Sequence, residues 1–268
     1  MVGLPMNVLD FQKMKDEKRK ISMVTCYDYS SARIVNESKV DCILVGDSLA
    51  MTMHGLPTTL GATVEMMTLH TAAVARGAPS KFIVADMPFL SYRKGLEPAM
   101  DCVRELMAAG AHAVKLEGVR GHADLVAHIV DSGVPVMGHL GLTPQSVNQL
   151  GGMKVQARTE AAVECLASQA RELEKAGCFS LVLECVPSGA ARKVTELLSI
   201  PTIGIGAGSD TSGQVLVYQD LLGMNPSFRP KFLRTFANSH ESVLAAMNRY
   251  DEEVKSQSFP NEKESYLA

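Results

Sequence analysis

No apolar run in this 268-residue chain approaches the roughly 18–20 residues needed to cross a bilayer. Basic residues are not in excess either. Lys and Arg number 26 against 29 Asp and Glu, a net charge of −3, and no basic stripe offers a path for nucleic acid. Cys26, Cys42, Cys102, Cys165, Cys178 and Cys185 are scattered without a CxxC pair. Most lie in apolar runs, so they read as reduced packing thiols of a cytosolic protein. No paired histidine–cysteine zinc motif occurs. The segment GIGAGSDTSG (Gly204, Gly206, Gly208, Gly213) lacks GxGxxG spacing, so a dinucleotide-binding reading fails. Close backbone approach to a ligand is what these glycines suggest. The opening MVGLPMNVLDFQKMKDEKRK is charged late and has no following apolar region, unlike a secretory signal. A soluble cytoplasmic protein is expected.

What the chain does have is hydrophobic residues, 46% of the total, enough for a large core. Short β-rich runs alternate with helix-period segments almost from end to end. Strands are expected at 22–25, 42–46, 81–85, 113–116, 135–138, 180–183, 202–205 and 215–218. Several are apolar throughout, as parallel strands covered on both faces should be. Helices are expected at 63–76, 96–109, 122–132, 159–176, 190–198 and 230–250. In 159–176 Thr159 can cap the start and Gly177 the end. A helix over 7–20 would cover the barrel bottom or a partner subunit. Eight strand–helix units of roughly 30 residues predict an α/β fold, a (β/α)8 TIM barrel, with an open doubly wound sheet as the competitor. One domain over 1–250 is expected, with helical extensions at both ends and a polar, fraying tail over 251–268.

Apolar stretches end in ionisable residues: CILVGDS at Asp47, FIVAD at Asp86, HAVKLEG at Lys115 and Glu117, VPVMGH at His139 and SLVLE at Glu184. In parallel α/β folds the carboxyl-terminal strand tips are where chemistry is placed, and a closed barrel would gather these tips together. Asp47, Asp86 and Glu117 offer hard oxygen ligands suited to Mg²⁺, although each could instead cap a helix or pair with a cation. Lys115 and Glu117, two apart, point the same way. The lysine could bind a substrate carboxylate, form a Schiff base, or pair with Glu117. His139 could donate to substrate or tie down its glycine-rich turn. Glu184 could act as a general base or acid, or bind loop amides.

The blocks TCYDYSSA, LVGDSLAMTMHG, HTAAVARGAP, VADMPFLSY, VKLEG, PVMGHLGLTPQSVNQLGG, LVLECVP and IGIGAG, in this order, closely resemble the ketopantoate hydroxymethyltransferase family. The likeness runs from about residue 7 to 236. It implies a barrel of the phosphoenolpyruvate mutase type, a cytoplasmic homodecamer, and Mg²⁺ held by Asp47, Asp86 and Glu117. It implies 2-oxo-acid binding by Ser48 and Lys115 together with Asp47, Asp86 and His139, and Glu184 as catalytic base. The implied reaction moves a hydroxymethyl group from 5,10-methylenetetrahydrofolate to 3-methyl-2-oxobutanoate, giving 2-dehydropantoate for pantothenate and coenzyme A. No membrane or nucleic-acid partner is implied. Two rivals share the fold: a Mg²⁺ lyase or phosphonopyruvate enzyme, which would use a reactive lid cysteine, and a non-catalytic binding relative, which would lack one of the acids.

Overall fold

Parallel strands that are apolar on both faces need cover inside and out, and eight of them obtain it here by closing on themselves. The structure, a computed structural model, describes residues 6–266. The first five residues of the expected domain and the last two of the expected tail lie outside the described residues. The chain forms two compact units, one ending at Leu216 and the other beginning at Val217.

The first unit is a closed barrel in sequence order: β1 (Ile21–Thr25), β2 (Cys42–Val45), β3 (Phe82–Asp86), β4 (Ala113–Glu117), β5 (Val136–Gly141), β6 (Ser180–Glu184), β7 (Thr202–Ile205) and β8 (Gly213–Leu216). All neighbours pair in parallel, and β1 closes onto β8 with Ile21 beside Gly213. That pairing rules out the open sheet and makes the expected (β/α)8 TIM barrel the fold.

The strands are preceded and joined by α1 (Val8–Asp16), α2 (Tyr29–Glu37), α3 (Leu49–Thr52), α4 (Val64–Gly77), α5 (Leu96–Ala108), α6 (Ala123–Asp131), α7 (Val147–Leu150), α8 (Glu160–Lys175) and α9 (Ser188–Leu197). Local chemistry sets their ends. Thr159 accepts from the Ala162 amide at the start of α8, and Leu166, Ala170 and Leu173 form its buried stripe. Leu173 packs so close to β5 that a Cβ on Gly138 would lie 2.8 Å from it.

Strand residues alternate between the helix layer and the interior. The inward set begins apolar: Met23, Cys42 and Leu44, Phe82 and Val84, Ala113, Met137, Val182 and Ile203 belong to one buried cluster. Two residues further on, the same faces carry Asp86, Lys115, His139 and Glu184. The interior therefore changes from hydrocarbon to charge within one side-chain layer.

Of the two places open to the first helix, the structure gives α1 the amino-terminal end of the barrel. Asn7 and Asp10 form its capping box. Phe11 stands edge-on to Phe82 (5.3 Å) and Phe179 (5.1 Å), and Lys15 Nζ donates to the Leu198 and Ile200 carbonyls at 2.7 and 2.8 Å.

The second unit contains α10 (Tyr218–Leu221) and α11 (Ser239–Lys255). The helix expected over 230–250 starts later, because the Phe236 and Ser239 amides donate to the Leu221 and Leu222 carbonyls instead. It also runs past Asp251, where i,i+4 pairs Arg249–Glu253 and Asp251–Lys255 support it. Val243, Leu244, Met247, Tyr250 and Val254 of α11 are exposed.

Candidate active site

Register decides which charged side chains meet. Asp86 of β3 lies beside Lys115 of β4, and Glu117 of β4 beside His139 of β5. Lateral neighbours in a parallel sheet face the same way. Accordingly Lys115 Nζ stands 3.0 Å from Asp86 Oδ1, and His139 Nδ1 stands 3.3 Å from Glu117 Oε1. The lysine pairs with Asp86, not with Glu117 as one sequence alternative had it. His139 Nε2 faces Glu184 Oε2 at 3.3 Å, so the imidazole bridges two glutamates. Asp47 follows β2, and its amide donates to Asp86 Oδ2 at 2.9 Å.

All five side chains other than Glu184 are buried, and Glu184 is 20% exposed. Burial drives the Asp47 carboxyl well above its ordinary pKa, and the charges of Asp86 and Glu117 add to it. Burial likewise raises Asp86, against the attraction of Lys115. Burial opposes charge on Lys115, yet Asp86, Glu117 and Asp47 hold its pKa above the usual lysine value. For His139, burial and Lys115 act downward, but the contacts with Glu117 and Glu184 prevail and push it up to about 9. The centre thus holds more carboxylates than cations.

That excess is what a hard cation would relieve. The buried Asp86 Oδ1 and Glu117 Oε1 face Lys115 Nζ at 3.0 Å and His139 Nδ1 at 3.3 Å, and carboxylate oxygens are the donors Mg²⁺ takes. Among the described residues no group of three or more His, Cys, Asp or Glu is arranged to hold a metal as it stands. Mg²⁺ commonly binds through one or two carboxylates plus substrate and water instead of a protein cage, so the residues fit the ion.

Sequence reasoning missed three residues that fasten this cluster. Gln145 lies in a short 3-10 turn after β5 and is 5% exposed. Its Nε2 donates to Asp47 Oδ2 (2.9 Å) and to the Met87 carbonyl (3.0 Å), and its backbone amide donates to Glu117 Oε2 (3.0 Å). The Tyr92 hydroxyl reaches Gln145 Oε1 at 2.9 Å, and the Tyr27 hydroxyl lies 2.7 Å from Ser48 Oγ. The one signal in the sequence was position. Gln145 directly follows Pro144 in a loop that leaves a charged strand tip.

Cys185 adjoins Glu184 with a left-handed φ of 47°, and its thiol is pushed up to about 11 by burial and by Glu184. A thiol held protonated is unlike the reactive cysteine expected of a lyase. In the glycine segment the close approaches involve protein. A Cβ on Gly208 would lie 2.5 Å from Ser188, and one on Gly204 would lie 2.7 Å from Thr211.

A family model described as ketopantoate hydroxymethyltransferase matches residues 5–262. A 3-methyl-2-oxobutanoate hydroxymethyltransferase of Bdellovibrio bacteriovorus is 61% identical, covering 97% of this chain and 98% of that one. One of Coxiella burnetii is 57% identical, covering 96% and 97%. Among solved structures, phosphoenolpyruvate phosphomutase from Streptomyces platensis superposes with a TM-score of 0.62 over 94% of this chain and 88% of its own, at 13% identity. The last likeness concerns the fold alone and agrees with a barrel of the phosphoenolpyruvate mutase type.

Proposed function

Because the chain belongs to the ketopantoate hydroxymethyltransferase family, we propose that it transfers a hydroxymethyl group to 3-methyl-2-oxobutanoate, giving 2-dehydropantoate. The donor is 5,10-methylenetetrahydrofolate, the metal Mg²⁺, and the setting the cytoplasmic synthesis of pantothenate. One observation carries the site assignment: Asp86, Lys115, Glu117, His139 and Glu184 arrive from successive strands at one barrel end, beside Asp47.

Asp47, Asp86 and Glu117 would hold the metal. When bound it supplies Lewis-acid stabilisation of negative charge on the 2-oxo acid. Lys115, kept cationic by the acids around it, binds the anionic end of the substrate together with half-buried Ser48, which Tyr27 orients. These contacts turn C3 toward Glu184, the carboxylate of the cluster that solvent reaches most easily. Glu184 takes the C3 proton, and His139 steadies the carboxylate from its other side. The resulting carbon nucleophile bonds to the one-carbon unit as one of that unit's two C–N bonds opens. Water then replaces the remaining nitrogen to leave the hydroxymethyl group, and the two folate nitrogens gain the proton taken from C3 and one from water as tetrahydrofolate leaves.

The test is proton exchange at C3 of 3-methyl-2-oxobutanoate in D₂O, followed by NMR with Mg²⁺ and without folate. The C3 signal of wild type should disappear. Asp86→Ala should abolish the exchange, and Glu184→Gln should slow it about 100-fold or more. A wild-type protein silent even with tetrahydrofolate added would sink the reading.

We also propose a homo-oligomer, decameric as in the family resemblance. The exposed apolar residues of α11 support association, and light scattering on the full chain tests it.

A further inference from the structure

We propose that Gln145 is the positioning residue of this site, setting where the Asp47 and Glu117 carboxylates stand before any ligand arrives. The inference rests on the reading of those acids as metal ligands.

Its orientation admits no alternative. Both Nε2 protons are in use, on Asp47 Oδ2 and on the Met87 carbonyl, while Oε1 receives the Tyr92 hydroxyl. Turning the amide over would set its oxygen against the Met87 carbonyl, two acceptors with no proton between them, and would point its amide protons at the Tyr92 hydroxyl. The Tyr92 hydroxyl also lies 3.2 Å from the Glu117 carbonyl, so Tyr92 fixes the amide with reference to β4.

What Gln145 joins is distant in sequence. Asp47 follows β2, Met87 follows β3, Glu117 ends β4, and Gln145 itself follows β5. One residue thus ties four consecutive strand tips, two of them through the carboxylates. Each of those carboxylates has one oxygen engaged by Gln145, Asp47 by the side chain and Glu117 by the backbone amide. The other oxygen of Glu117, Oε1, faces His139 Nδ1 at 3.3 Å. Buried acids that repel one another would otherwise swing apart or take up protons. A neutral double donor holds them together without adding the charge that a second lysine would bring, and that charge would compete with an incoming cation.

The side chain therefore acts on Asp47, and its removal should weaken metal binding without abolishing the reaction. Mn²⁺ alone serves as the probe, with its free concentration read by electron paramagnetic resonance on the full chain without substrate. Gln145→Met keeps the length and removes both donors. Its Mn²⁺ dissociation constant should rise about 10–100-fold over wild type, the range typical of residues that orient metal ligands. Saturating Mn²⁺ should then return C3 exchange to near the wild-type rate, because the metal itself then holds Asp47. A purely structural defect would not be rescued in this way.

An unchanged dissociation constant overturns the proposal, and so does a weakened one whose exchange is not restored at saturating metal. Should Gln145→Met fail to fold, Tyr92→Phe removes only the hydroxyl that fixes the amide. It should weaken Mn²⁺ binding several-fold, and wild-type affinity in that variant overturns the inference equally. Wild type that binds no Mn²⁺ is a different failure, since it removes the metal reading of the acids and this inference with it.

Discussion

His122 lies 6% exposed beneath the Tyr92 ring, 5.3 Å between centroids, with Nδ1 3.2 Å from the Arg120 carbonyl. Burial first, and the Arg93 cation second, push its pKa down to about 4. In the unfolded chain the same group titrates near 6.5. Between those values the unfolded state holds a proton that the native state refuses, so stability is lost as pH falls from 6.5 towards 4 and levels off below. His122→Gln should flatten that part of the curve, by an amount on the order of 2–3 kcal/mol, in urea titrations compared at pH 7 and pH 4.5. His122 shows why single residues are harder to read from sequence than strands. The charged tips at Asp86, Lys115, Glu117, His139 and Glu184 were legible because an ionisable group ending an apolar run stands out against its neighbours. Gln145 and Tyr92 were not, because a polar side chain in a loop is normally solvated. Only the three-dimensional crossing of four loops reveals these two as buried.

At the scale of elements, hydrophobic period and capping chemistry carried α8 and the barrel strands to within a few residues of their observed bounds. They failed where tertiary hydrogen bonds compete with the helix, as over 230–238, and where the helix is short and half-polar, as with α2. The sequence also left α1 between two destinations, since a short amphipathic helix does not say what it will cover. Its anchor is Phe11, fully buried between Phe82 and Phe179. Phe11→Ala should cost about 3–5 kcal/mol, read as a lowered denaturant midpoint. The metal-dependent exchange reaction should survive under native conditions, because α1 sits at the barrel end opposite the charged cluster.

For the whole molecule, closure depends on the β1–β8 seam, which runs from Ile21–Gly213 to Val24–Leu216. A Cβ on Gly213 would stand 2.4 Å from the Ile21 carbonyl and 2.7 Å from Ile203. Gly213→Ala should therefore strain the β1–β8 seam and destabilise the protein by about 1–3 kcal/mol, measurable as a lower midpoint for loss of circular dichroism. The seam also joins the first strand to be synthesised with the last, and this gives the barrel a history on the ribosome. Ile21 leaves the exit tunnel long before Gly213 has been made. At roughly 5–20 residues per second the outer edge of β1 waits about ten to forty seconds for its neighbour. During that interval the nascent chain offers an open, apolar β-edge to every other nascent chain nearby. Slow translation of the last two strands would lengthen the exposure without altering a single residue of the finished enzyme.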